Sequence, residues 1–144
     1  MADRKVQVFF YGSFMSLKVL QDAGLKKRAF APACIHGYEL TMQPHANLSE
    51  SGDGIVFGIL ANMTHKELGM LYDSHASTIT HATYQPEAMM VFTRGGKMVP
   101  ALVYMAADEE AGAPDEAYVD DILKSCTSYG FPSWYLERIA SFKP

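Results

Sequence analysis

The first residues able to do chemistry lie in Val6-Gln7-Val8-Phe9-Phe10-Tyr11-Gly12-Ser13-Phe14-Met15-Ser16. An almost unbroken apolar run ends there in Tyr-Gly-Ser and a helix-like segment follows. This predicts a buried strand, a tight glycine turn and a helix start. Such a junction aims backbone N–H groups at one point and suits an anion such as a carboxylate or a phosphate. Gly-Ser also serves strand-to-helix turns for conformational reasons alone, so its weight depends on the rest of the chain. Familiar catalytic signatures are absent: there is no Gly-x-Ser-x-Gly elbow, no Gly-x-x-x-x-Gly-Lys phosphate loop and no Gly-x-Gly-x-x-Gly after a strand. The five histidines (His36, His45, His65, His75 and His81) show no i, i+4 pairing, so no metal site is expected. Glu50 and Asp53 lack the spacing of calcium-loop ligands. Cys34 and Cys126 stand apart in apolar segments and read as buried thiols, not as a disulfide.

Positioning a glycine junction takes a sheet and helices, and the apolar pattern supplies both. Ser16–Ala23 predicts a short helix with Leu17 and Leu20 inward and Gly24 as its stop. Lys26, Lys27 and Arg28 read as a solvated helix end. Ala33–Leu40 reads as a strand, and Gln43–Asp53, rich in Pro, Asn, Ser and Gly, as a loop. Gly54–Asn62 is a second continuous apolar run, expected to be a central strand covered on both faces. Thr64 and Glu67 form a capping-box pattern for a helix with Leu68, Leu71 and Tyr72 inward, fading near Asp73 and Ser74. Tyr84–Thr93 and Met98–Ala106 predict a hairpin across Arg94-Gly95-Gly96-Lys97.

Asp108–Ala113 reads as an acidic loop. Pro114–Ser128 reads as a helix with Val119, Ile122, Leu123 and Cys126 as its stripe. Gly130 stops it, and Pro132 restarts a last helix with Tyr135, Ile139 and Phe142 on one face. Trp134 and the phenylalanines read as core. The whole predicts a single α+β domain over residues 1–144, built on a strongly curved, mainly antiparallel sheet.

With 144 residues the chain is long enough to bury a real core. It carries 12 Lys and Arg against 16 Asp and Glu, a net charge of −4, with no basic block. Nucleic acid and anionic membrane surfaces are therefore not expected partners. No apolar run is long enough to span a bilayer, and no leader pattern precedes the first strand. A soluble, cytoplasmic protein is expected.

Five pieces then fall in a meaningful order. They are Val8-Phe9-Phe10-Tyr11-Gly12-Ser13-Phe14-Met15; His36-Gly37-Tyr38-Glu39-Leu40 with Ala46-Asn47-Leu48; Gly54-Ile55-Val56-Phe57-Gly58-Ile59-Leu60; Tyr84 with Ala101-Leu102-Val103-Tyr104-Met105; and Tyr129-Gly130-Phe131-Pro132-x-x-Tyr135. This series resembles the γ-glutamyl cyclotransferase-like family, which includes γ-glutamylamine cyclotransferases and the plant AIG2-like proteins. The resemblance implies a small β-barrel-like sheet with flanking helices and one cavity, with no cofactor.

It also implies that Tyr11, Gly12, Ser13, Phe14 and Met15 hold the amino-acid end of a γ-glutamyl group, and that Tyr118 contacts the ligand. The partner would be a small γ-glutamyl or other amino-acid-derived molecule. In the family a glutamate in Leu-Asp-x-x-Glu-Gly takes a proton from the substrate α-ammonium. The freed nitrogen attacks the γ-carbonyl, giving 5-oxoproline and a free amine. Here the segment reads Leu71-Tyr72-Asp73-Ser74-His75-Ala76, with His75 at the position of the glutamate. An imidazole, with its ordinary pKa of about 6.5, can shuttle protons at neutral pH. Two proton-shuttle candidates follow, His75 and, at the start of a strand, Glu87. Tyr84 and Tyr104 are strand aromatics whose hydroxyls could line the cavity. The alternative is a non-catalytic relative that binds a small carboxylate ligand or a protein partner.

Overall fold

The structure, a computed structural model, describes residues 4–26, 28–76, 82–107 and 111–144. The first apolar run forms β1 (Lys5–Phe10), which starts exposed and ends with Val8, Phe9 and Phe10 buried. β2 (Ala31–Met42) and the 19-residue β3 (Ala46–Thr64) follow. β3 lies between β1 and β2, and Val56, Ile59, Leu60, Ala61 and Met63 are buried along its second half. That is the pattern of a strand covered on both faces. β4 (Tyr84–Thr93) and β5 (Met98–Ala106) make the hairpin predicted across residues 94–97.

The five strands run in the order β1-β3-β2-β4-β5. All ladders are antiparallel except a short parallel pairing of β1 with β5 at Val8 and Leu102. β2 meets β4 only at Ala33–Thr93 and Cys34–Phe92. Two such brief seams beside long ladders mark a sheet so curved that its ends come together. This is the strongly curved, mainly antiparallel, barrel-like α+β fold expected from the sequence. At the end of the β1–β3 ladder the two strands lie so close that a Cβ on Gly58 would be 2.2 Å from the Phe10 carbonyl oxygen.

The helices flank this sheet. A 3-10 turn (Ser13–Met15) leads into α1 (Leu17–Asp22), whose Ser16 cap accepts a hydrogen bond from the Val19 N–H. α2 (His65–Leu68) opens on the predicted capping box: the Thr64 hydroxyl accepts from the Glu67 N–H, and the Glu67 carboxylate accepts from the Thr64 N–H. α3 (Glu116–Ser128) buries Val119, Ile122 and Cys126, and α4 (Ser133–Ala140) buries Tyr135 and Ile139. Among the described residues no helix is long and apolar enough to cross a membrane.

Several expectations need correction. Residues 43–53 are not a loop: apart from the turn at Gln43-Pro44-His45, they form the first part of β3, paired with β2 from Met42–Ala46 to Tyr38–Glu50. Ser49 and Glu50 look polar because that part of the ladder faces solvent. The helix after Thr64 does not fade at Asp73 but continues as a π-helix over Gly69–Ala76. Arg28 is not simply solvated. It forms an ion pair with Glu67 and donates to the Asn62 carbonyl at 3.0 Å. Trp134 is 50% exposed, and Cys34 is only half-buried whereas Cys126 is fully buried.

Candidate functional site

The glycine junction after β1 opens onto a cavity of about 280 Å³. Phe10 and the loop Tyr11-Gly12-Ser13-Phe14 make one wall, and Val19 and Asp22 of α1 extend it. The β2–β3 turn contributes His45 and Ala46, the π-helix Tyr72, the hairpin Tyr84 and Tyr104, and α3 Tyr118.

Close approach explains Gly12. A Cβ there would stand 3.0 Å from the Ala46 Cβ, so a side chain at residue 12 would press against the β2–β3 turn. The turn is held on two further sides. The Tyr118 hydroxyl accepts from the Ala46 N–H at 2.8 Å. The Asn47 amide donates to the Ala106 carbonyl at 3.0 Å and accepts from the Ala106 N–H at 3.2 Å, copying a strand pairing. In the loop itself, hydrogen bonds begin with Met15 N–H to the Gly12 carbonyl and Ser16 N–H to the Ser13 carbonyl.

Tyrosines dominate the remaining surface. Tyr11 donates its hydroxyl to the Tyr104 carbonyl at 2.7 Å. Tyr72 stacks face to face on Tyr104, with ring centroids 3.8 Å apart, and packs against Tyr84 and edge-on against Phe14. Burial, then the neighbouring Tyr11, Tyr104 and Tyr84, holds the Tyr72 phenol far above its usual range. Burial also raises Tyr104, with the Asp73 carboxylate adding to the effect. Both are neutral hydrogen-bonding groups at physiological pH. His45 lies edge-on to Tyr118 at 5.1 Å. Among the described residues no three His, Cys, Asp or Glu side chains gather where they could hold a metal ion.

Of the residues singled out from sequence, Tyr11, Gly12, Ser13, Phe14 and Tyr118 come together on the cavity wall, as do Tyr84 and Tyr104. Met15 is buried beneath the loop, its carbonyl accepting from the Tyr129 hydroxyl at 3.1 Å. Glu87 is exposed on β4 opposite Val103 and lies outside the cavity wall. The backbone of His75 belongs to the π-helix, but its side chain lies outside the described residues, as does the whole of His81. Sequence reading missed His45, Ala46, Val19 and Asp22. A signal for the first two was present: Leu40 and Met42 mirror Ala46 and Leu48 across Gln43-Pro44-His45, a hairpin pattern.

The sequence matches the AIG2-like family over residues 55–139. No curated protein matches it. Among solved structures, a protein titled gamma-glutamyl cyclotransferase superposes with a TM-score of 0.79 at 19% identity, covering 98% of this chain and 89% of its own. An uncharacterized protein from Homo sapiens gives 0.75 at 21% identity, with 97% and 89% covered. The yeast gamma-glutamyl cyclotransferase specific to glutathione gives 0.64 at 10%, with 96% and 95% covered. These likenesses concern the fold. Together with the match over residues 55–139, they establish that the chain belongs to the AIG2-like family and has the γ-glutamyl cyclotransferase-like fold.

Proposed function

We propose that this protein acts on a small γ-glutamyl amine or γ-glutamyl amino acid, cyclising it to 5-oxoproline with release of the amine. The observation that carries the reading is the cavity walled by the Tyr11-Gly12-Ser13-Phe14 loop within this family's fold. The loop would hold the amino-acid end of the substrate through its backbone. Folding the substrate there converts ring closure into an intramolecular attack with a high effective concentration.

His75 is the proposed proton shuttle, in preference to the exposed Glu87. It takes a proton from the substrate α-ammonium, and the freed amine attacks the γ-carbonyl carbon. As the tetrahedral adduct collapses, the γ-amide C–N bond breaks and the departing nitrogen takes up that proton; the ring nitrogen, still carrying two hydrogens after the attack, passes one of them to the released amine, which leaves 5-oxoproline as the neutral lactam and the amine as its ammonium. The tyrosines of the wall offer neutral donors to the developing oxyanion. The setting proposed is cytoplasmic, with a small-molecule partner and no nucleic acid.

The test is to incubate the protein with γ-glutamyl amines and γ-glutamyl amino acids and measure 5-oxoproline and free amine. Turnover is expected, with a rate that falls below about pH 6 as the base protonates. His75→Ala should lower kcat about 100-fold or more. Absence of turnover by the native protein rejects the cyclotransferase reading. Undiminished turnover by His75→Ala rejects His75 as the base.

A second reading draws on His75 standing where the resemblance would put the family's glutamate. In it, the cavity binds a small carboxylate ligand without converting it. Saturable binding with no 5-oxoproline formed is its signature.

A further inference from the structure

One polar group on the cavity wall is left over by the packing around it. The Tyr72 ring is only 7% exposed and is fixed on three sides. It stacks on Tyr104 with centroids 3.8 Å apart and planes 7° from parallel, meets Phe14 edge-on at 5.3 Å, and packs against Tyr84 at 5.4 Å. All three contacts are made by the ring. Among the described residues its hydroxyl has no hydrogen-bond partner, yet Tyr72 lines the cavity. We propose that the Tyr72 hydroxyl donates a hydrogen bond to the γ-carbonyl oxygen of the substrate and holds that oxygen as it becomes the oxyanion of the tetrahedral adduct. The assignment rests on the cyclotransferase reading for the identity of that carbonyl.

A buried phenol without a partner is costly, because its hydroxyl has given up water and gained nothing in exchange. Where such a group faces a cavity, the missing acceptor is supplied by what enters it. The other phenols of the wall are less suited. Tyr11 gives its proton to the Tyr104 carbonyl at 2.7 Å, and the Tyr118 hydroxyl is held by the Ala46 N–H at 2.8 Å. Tyr84 and Tyr104 are more open to solvent.

Burial makes Tyr72 a strong donor, since a hydrogen bond shielded from water meets little competition. The locked ring sets the hydroxyl in place before the substrate arrives, so nothing reorganises as charge develops. The phenol also stays protonated at neutral pH, because burial holds it far above its usual range. Its backbone belongs to the π-helix Gly69–Ala76, a rare helix form frequent at functional sites.

The experiment uses Tyr72→Phe in the whole protein, which removes one oxygen and keeps the ring with its aromatic contacts. Because the hydroxyl has no partner among the described residues, the melting temperature should be unchanged or higher. With γ-glutamyl amines as substrates, kcat should fall about 100-fold, the effect of losing one oxyanion donor. KM should change by no more than about 10-fold, the loss of one hydrogen bond to the bound carbonyl. Calorimetric titration adds a readout that needs no turnover. Its probes are 5-oxoproline, whose lactam carbonyl is the former γ-carbonyl, and cyclopentanecarboxylate, the same ring size without carbonyl or nitrogen. Tyr72→Phe should bind 5-oxoproline about 10-fold more weakly than the native protein does, and cyclopentanecarboxylate equally well.

If the native protein turns over its substrates and Tyr72→Phe keeps both kcat and KM, the Tyr72 assignment is overturned and the cyclotransferase reading stands. A raised KM with kcat intact overturns the oxyanion role. A melting temperature lowered by several degrees gives the hydroxyl to the fold and overturns the assignment as well. If no turnover occurs, the cyclotransferase reading falls and calorimetry decides the rest. A 10-fold loss confined to 5-oxoproline then keeps the carbonyl contact, whereas equal binding, or none, overturns it too.

Discussion

At the scale of single residues, the candidate site depends on close contacts between side chains that lie far apart in the chain. Gly12 is tied to Ala46, Tyr11 to Tyr104, and Tyr118 to the Ala46 N–H. Tyr72 shapes the same place from the π-helix: its ring stacks at 3.8 Å on Tyr104 and adds a phenol to the cavity wall. The Gly12 contact gives a sharp test. Gly12→Ala should cost about 1–3 kcal/mol by overpacking and weaken ligand binding. The double variant Gly12→Ala with Ala46→Gly should recover part of both, because the clash is between those two Cβ atoms. Thermal denaturation of the two variants checks this, and equal losses in both would show that the contact is not the cause.

At the scale of elements, α2 shows a local signal given a second task by the tertiary structure. Thr64 and Glu67 form the capping box written in the sequence, and Glu67 also receives the Arg28 guanidinium, which the sequence placed in solvent. Chiefly through the Arg28 hydrogen bonds, the Glu67 carboxyl falls from an ordinary 4.5 to about 2. Because the folded value is the lower one, the stabilisation is complete above pH 4.5 and is lost as the pH falls towards 2. The pair is partly open to solvent, so its worth is about 1 kcal/mol. Glu67→Gln should therefore melt below the native protein at neutral pH, and the gap should close as the pH drops through that window. A gap independent of pH would assign the loss to the cap alone.

At the scale of the whole molecule, curvature of the sheet brings the loop after β1, the β2–β3 turn, the hairpin and α3 around one cavity. Gly58 sits where β3 passes tight against the end of β1. A side chain there would meet the Phe10 carbonyl oxygen at 2.2 Å and the Phe9 ring at 2.7 Å. Gly58→Ala is expected to cost more than about 4 kcal/mol, or to prevent folding, because neither contact is with a freely movable group. A folded variant with an unchanged melting temperature would disprove that close packing.

Elements whose cause is local could be read from the residues alone. Continuous apolar runs specified β1 and the second half of β3, Gly-Gly marked the β4–β5 turn, Thr64 with Glu67 started α2, and a 3.6-residue stripe gave α3. That residues 46–53 are strand emerged from the fold, since a polar solvent-facing ladder is stabilised by its partner β2 and has no strong pattern of its own. It likewise put His45 on the cavity wall and Glu87 outside it. Residue type states what a side chain can do, but its neighbours are set by strand pairings that join positions up to 94 residues apart, as between Val8 and Leu102. The loop from Tyr11 to Phe14 was legible as a strand-to-helix junction. That a histidine from a distant turn stands beside it became visible only when the sheet curved.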